Sequence, residues 1–325
     1  MGSCGGNRPT PSSRACWRRF AENSAVAEDN QLLDPKVLAR LMHLPLLARQ
    51  PMEGSVSGQH KSPHRGSSVE FAEYRNYVPG DDIRRLDWRV FARSDRFFMK
   101  EFEAETNLRC YLVLDCSGSM KFGHAGATKL DYAKRMAATL GHLAARQGDA
   151  VGLICAAEKT FFEIPARRNP AHLKLILDTM QKSAARGTTG LLAALHDLAE
   201  KVKRRALVLV FSDFFCDLEP LLDCFQHLRF QKHDLALFQL LDRAELDFKF
   251  DRPTRFVDME SSFHLVTEPA VVRDEYLRQI WKFLEALREG CHEFAADYRQ
   301  VVTDQPYEKA LADFLTARAR LAAGH

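Results

Sequence analysis

Five residues, Asp115-Cys116-Ser117-Gly118-Ser119, stand at the end of the apolar run YLVLDC (111–116) and have types and spacing suited to chemistry. One carboxylate and two hydroxyls at alternate positions reach a common hollow if the chain turns sharply after the run, and Gly118 allows that turn. All three are hard oxygen donors. Mg²⁺ prefers octahedral oxygen coordination and keeps several waters, so a site with few charges and open positions suits it. Two hydroxyls add no charge, which leaves the ion electrophilic enough to accept a carboxylate from outside. The competing reading makes Ser117 and Ser119 ordinary turn residues.

The elements that must position these groups follow a strand–helix rhythm from Arg109 onward, which predicts an α/β fold: a Rossmann-like, doubly wound, mostly parallel sheet. YLVLDC (111–116), DAVGLICAA (149–157), ALVLVFSD (206–213) and HDLALFQLLD (233–242) are continuously apolar, as strands buried on both faces are. TFFEI (160–164) reads as an edge strand. Thr128 caps a helix with Leu130, Ala133, Ala137, Leu140 and Ala144 on one face, ended by Gly148. Further helices are predicted at about 171–182, 190–203 and 217–230. In an open parallel sheet, ligands bind beyond the carboxyl ends of the strands, which is where Asp115 stands.

The 325-residue chain divides into four parts by pattern. Residues 1–30 are rich in Gly, Ser, Pro and Asn and read as a disordered tail. Residues 31–108 open with a helix, capped by Asp34 with Pro35 at its first position, and continue into an aromatic and charged extension. Residues 109–245 carry the α/β core, and 246–325 complete it with a strand at RFVDME (255–260), a long amphipathic helix from Val271 through Tyr298 and a final helix at 307–322.

Composition excludes several classes. The net charge of +3 comes from 46 basic and 43 acidic residues interleaved along the chain, so no face is built to neutralise a phosphate backbone and no nucleic acid partner is expected. The eight cysteines contain no C-x-x-C pair, and several lie in apolar runs, as buried thiols of a reducing compartment do. His60 and His64, separated by Pro63 in a polar stretch, read as loop residues rather than zinc ligands. No apolar run approaches the roughly 20 residues that span a bilayer, and the start lacks a signal-peptide or myristoylation pattern, so a cytoplasmic protein is expected.

Enzymatic readings each miss a required group. A phosphatase of the haloacid-dehalogenase type needs a second aspartate two residues after the first, where this chain has Ser117. No G-x-S-x-G surrounds Ser117 or Ser119, and no P-loop pattern occurs. The residues therefore predict a binding protein, with a metal-dependent hydrolase or phosphatase as the alternative. A scaffold whose ion is purely structural is the third possibility.

The D-x-S-x-S run resembles the metal-ion-dependent adhesion site of von Willebrand factor A domains. That resemblance implies a threonine ligand in a later loop and an aspartate at the end of a following strand. Arg186-Gly187-Thr188-Thr189-Gly190 and Val210-Phe211-Ser212-Asp213 stand in that order. It thus implies one Mg²⁺ or Mn²⁺ held by Asp115, Ser117, Ser119, Thr188 and Asp213, with Thr189 the alternative to Thr188. Asp213 read without the resemblance is a helix cap.

The preceding segment, VEFAEYRNYVPGDDIRRLDWRVFARSDRFFMKEFEAETN (69–107), resembles the bacterial family called "domain of unknown function 58", in which it precedes an A-like domain. This likeness implies a partner of the MoxR-type AAA+ ATPase class, or that ATPase's client, and a role as adaptor in maturing or activating other proteins. Within the segment, Arg75, Arg84, Arg85, Arg89, Arg93 and Arg96 alternate with acids and are expected to form ion pairs along the seam with the core; substrate recognition by these arginines, within the aromatic and charged stretch 74–103, is the alternative.

Overall fold

The computed structural model describes residues 31–49, 108–123, 127–158, 160–261 and 263–323, and the backbone of 69–76 and 98–104. Helix α1 spans Pro35–Leu41, and the Asp34 carboxylate accepts from Lys36 N to cap it. Strands β1 (Val69–Asn76) and β2 (Phe98–Ala104) pair antiparallel as a ribbon of their own. The arginine ion pairs expected along 74–103 and the His60/His64 stretch lie outside the residues whose side chains are described.

The central sheet is built from β3 (Arg109–Asp115), β4 (Ala150–Ala156), β5 (Thr160–Arg167), β6 (Leu207–Ser212), β7 (Asp234–Leu241) and β10 (Asp297–Val302), in the order β10-β7-β6-β3-β4-β5. All neighbours run parallel except β5, which pairs antiparallel with β4 at one edge. Numbered within the sheet, this is the 3-2-1-4-5-6 order of doubly wound folds, and the order reverses between β3 and β6. Strands β4, β6 and β7 are buried at every position, and β3 at all but its first, which is why they read as unbroken apolar runs.

Helices cover both faces. On one lie α1, α2 (Lys129–Arg146), α3 (Pro170–Lys182) and α8 (Tyr307–Ala323), with Met136, Leu140, Ile176 and Phe314 meeting Leu112, Leu209 and Phe238 of the sheet. On the other lie α4 (Leu191–Lys201), α5 (Leu218–Phe230) and α7 (Pro269–Glu293), whose Leu195, Phe225 and Leu287 meet Val113, Val208 and Leu237. Short α6 (Arg243–Asp247) follows β7, and β8 (Thr254–Val257) pairs with β9 (His264–Thr267) in a separate antiparallel hairpin. The expected Thr128 cap of α2 is present as a capping box with Asp131.

Two expectations are corrected. The helix read through Tyr298 ends at Glu293; Phe294 closes it, Ala295 takes φ 51°, and Asp297–Val302 leaves to become β10 beside β7. Tertiary pairing overrides the local helical pattern there. The buried guanidinium of Arg318 on α8 bonds Asp234 of β7 (2.8 Å), Asp297 of β10 (3.3 Å) and the Leu47 carbonyl (2.9 Å), tying both strands' first residues to the N-terminal segment. The strand read at RFVDME is real only to Val257, and it joins the hairpin instead of the central sheet. Among the described residues, no helix is long and apolar enough to cross a membrane.

Candidate metal centre

The reversal of strand order leaves a crevice at the carboxyl ends of β3 and β6, and Asp115 closes β3 at its floor. The hydroxyl of Ser212, the last residue of β6, donates to Asp115 Oδ2 at 2.6 Å, while the Ser117 backbone N–H donates to Oδ1 at 2.9 Å. Both carboxylate oxygens are thereby aimed. After Ser117 the chain enters a 3-10 turn, Gly118–Lys121, which brings Ser119 Oγ to 3.1 Å from Ser117 Oγ. Neighbouring oxygens on an octahedral ion with bonds of about 2.1 Å stand about 3.0 Å apart, so the two hydroxyls already have the spacing of such an edge. An all-oxygen set of this kind fits a small, hard divalent cation.

The motif places Gly118 at the sharp turn, and close packing supplies a second reason for it. Its φ is not positive, and a Cβ there would lie 2.1 Å from the Met259 carbonyl oxygen and 3.2 Å from that of Gly187. Close approach of two backbones demands the glycine.

The loop carrying the threonines is stitched to the same turn. Gly118 N donates to Gly187 O at 2.8 Å and Arg186 N to Cys116 O at 2.9 Å, with Gly187 at φ 66°, a left-handed conformation that suits glycine. Of the two threonines, Thr189 is committed locally: its hydroxyl accepts from Leu191 N (3.3 Å) at the start of α4. Thr188 is exposed beside it.

Asp213 follows β6 directly. The chain turns away at Phe214, buried at φ 58°, a strained conformation for an aromatic residue that its edge-on packing against Phe225 holds in place. Asp213 Oδ1 accepts from Phe215 N (3.2 Å), and its Oδ2 meets a group that motif reasoning missed: the fully buried ammonium of Lys129, at 2.7 Å. Lys129 also bonds Glu245 Oε1 at 2.7 Å and lies over the Phe215 ring. A signal existed in the sequence, because a lysine at the first position of a helix opposes the positive end of the helix dipole and needs a compensating partner.

Burial pushes the Asp115 carboxyl up to about 6, and the nearby Asp213 carboxylate adds to this, while the Ser212 and Ser117 hydrogen bonds pull it back. For Lys129, burial alone favours the neutral amine; the two carboxylates outweigh it and hold the ammonium above its ordinary value. The hydroxyls of Ser117, Ser119 and Ser212 thus gather at Asp115, while Asp213 is held by Lys129 and the Phe215 N–H. Among the described residues there is no group of three or more His, Cys, Asp or Glu arranged to hold a metal.

Above the turn, the tip of the β8–β9 hairpin and the domain enclose a cleft of about 450 Å³, with Ser119, Phe215 and Glu245 on one wall and Asp258, Met259 and Glu260 on the other. The Thr189 backbone N–H donates to Glu260 Oε2 at 3.2 Å. No local pattern signals this overhang, since RFVDME reads as one more strand.

The strand order, with the D-x-S-x-S turn at its reversal, defines a doubly wound α/β domain whose candidate site lies at the switch point. The chain belongs to the family described as "Protein of unknown function DUF58", which residues 73–282 match. It is 30% identical over 300 residues to the uncharacterized protein Rv1480 of Mycobacterium tuberculosis, covering 90% of this chain and 93% of that one. Among solved structures it is similar to the conserved hypothetical protein BatB of Bacteroides thetaiotaomicron (15% identity, TM-score 0.42, 66% of this chain and 100% of that one). It is also similar to the SpRpn10 VWA domain (13% identity, TM-score 0.33, 42% and 76%).

Proposed function

We propose that this chain is a non-enzymatic protein-binding module that works through one divalent cation, Mg²⁺ or Mn²⁺, held by Asp115, Ser117, Ser119, Thr188 and Asp213. The observation that carries the reading is the 3.1 Å separation of the Ser117 and Ser119 hydroxyls beside an Asp115 carboxylate aimed by two donors. Asp213 shares its charge with Lys129, so it is a weaker donor than Asp115. That leaves the ion short of negative charge and receptive to a carboxylate from a partner protein.

The partner class follows from the family resemblance: a MoxR-type AAA+ ATPase or its client, with the chain as adaptor in maturing or activating other proteins. A cytoplasmic setting agrees with the six described cysteines, all free. Hydrolase chemistry of the phosphatase kind has no support at position 117, where a serine stands in place of a general acid or base.

The test is capture from lysate with and without EDTA, using wild type and Ser117→Ala, with circular dichroism on the same samples. The proposal expects capture of an AAA+ ATPase or its client to be lost on chelation and in the variant while both stay folded. In a second reading, a scaffold with a purely structural ion, that ion would reinforce loops that Lys129 already ties to Asp213 and Glu245. On that reading EDTA lowers the melting temperature and leaves capture intact.

A further inference from the structure

The hairpin tip abuts the two loops that carry the proposed ligands. Glu260 Oε2 accepts the Thr189 N–H at 3.2 Å, next to Thr188, and the Met259 carbonyl presses on Gly118 so closely that no side chain fits between Ser117 and Ser119. The tip is also set in shape. Asp258 accepts from Glu260 N (3.0 Å) and from the Ser261 hydroxyl, and its N–H donates to the Phe263 carbonyl (2.9 Å), so Glu260 projects from a closed turn. The hairpin meets the body through rings, Phe256 stacking on Phe248 at 5.3 Å, while Val257, Phe263 and Val266 stay exposed. An element held by a few ring contacts and one carboxylate hydrogen bond opens at low cost.

We propose that Glu260, held beside the threonine loop by the Thr189 N–H, is the chain's own acidic ligand for the cation centre, swinging onto the ion in the position that a partner's carboxylate would otherwise take. This rests on the proposed cation site and adds its regulation. A partner must then displace the hairpin tip, and binding is weakened by whatever holds the tip closed. The chemistry is that of any carboxylate arriving at a hard dication, made intramolecular and therefore effective at high local concentration.

The test uses the full chain and Mn²⁺ alone as probe. Affinity is read by calorimetry, and the waters on the bound ion by water-proton relaxation. Glu260→Gln is expected to weaken Mn²⁺ binding about tenfold, in the range of other lost metal-supporting contacts, and to add one exchangeable water to the bound ion. Added acetate should then displace that water from the variant at concentrations that leave wild type unchanged. Asp258→Ala, which loosens the tip without touching Glu260, should shift both readouts in the same direction. Glu275→Gln, exposed on α7, should shift neither. If wild type binds Mn²⁺ and Glu260→Gln matches it in affinity and in water count, the internal-ligand proposal is overturned while the cation site stands. If wild type itself binds no Mn²⁺, the cation site falls and this proposal falls with it.

Discussion

The ammonium of Lys129, at the first position of α2, lies 2.7 Å from Asp213 Oδ2 and is fully buried. A second carboxylate, Glu245 of α6, meets it from the other side at 2.7 Å. One buried cation thus ties the start of a helix to the end of a sheet strand and to the connection that leads to the hairpin.

Lys129→Met leaves two carboxylates without their cation, and breaking a buried pair in this way costs about 3–5 kcal/mol. Urea denaturation in EDTA should show that loss. Mg²⁺ should restore more stability to the variant than to wild type, because Asp213 then depends on the ion alone. A loss below about 1 kcal/mol, the range of exposed pairs, would show that Lys129 does not hold these elements together.

Arg318→Met separates fold stability from the centre. It strips Asp234 and Asp297 of their buried partner and should cost a similar amount, about 3–5 kcal/mol. It should leave metal affinity unchanged, since these residues lie at the opposite ends of the strands from Asp115 and Asp213. Calorimetry with Mg²⁺ on the folded variant checks this, and a weakened affinity would contradict it.

Acid should destabilise the fold through two histidines. Burial pushes both His142 on α2 and His233 before β7 down to about 4. A base whose folded value is depressed stabilises the fold fully above its unfolded value, near 6.5, and that contribution is lost as pH falls toward 4. Denaturation midpoints in EDTA should therefore drop between pH 6.5 and 4.5, and His233→Gln should flatten the slope. A midpoint constant across that window would contradict the prediction.

The parts of the fold written as long apolar runs or capped amphipathic helices were legible in the sequence: β3, β4, β6 and β7, the Thr128 cap, and an edge strand at β5, though not its antiparallel direction. Strand β10 was not, because its half-buried residues continue a helical rhythm and only pairing with β7 and contact with Arg318 decide it. At the candidate centre, Asp115, Ser117 and Ser119 converge as their spacing suggests, whereas Lys129, Ser212 and Glu245 reach it from elements far apart in the chain. Motif spacing carries no record of such contacts. The glycine between the serines suggests conformational freedom from sequence alone, whereas what it serves is the close pass of the Met259 carbonyl.

The central claim, that one divalent cation binds through the D-x-S-x-S turn and its two later partners, is tested most directly by calorimetric titration of Mg²⁺ and Mn²⁺ into the metal-free chain. Wild type should bind one ion. Asp115→Asn and Ser117→Ala should abolish binding, and Asp213→Ala should weaken it about ten- to hundredfold, as loss of a supporting carboxylate does. No binding to folded wild type, or equal affinity in wild type and Ser117→Ala, would contradict the account.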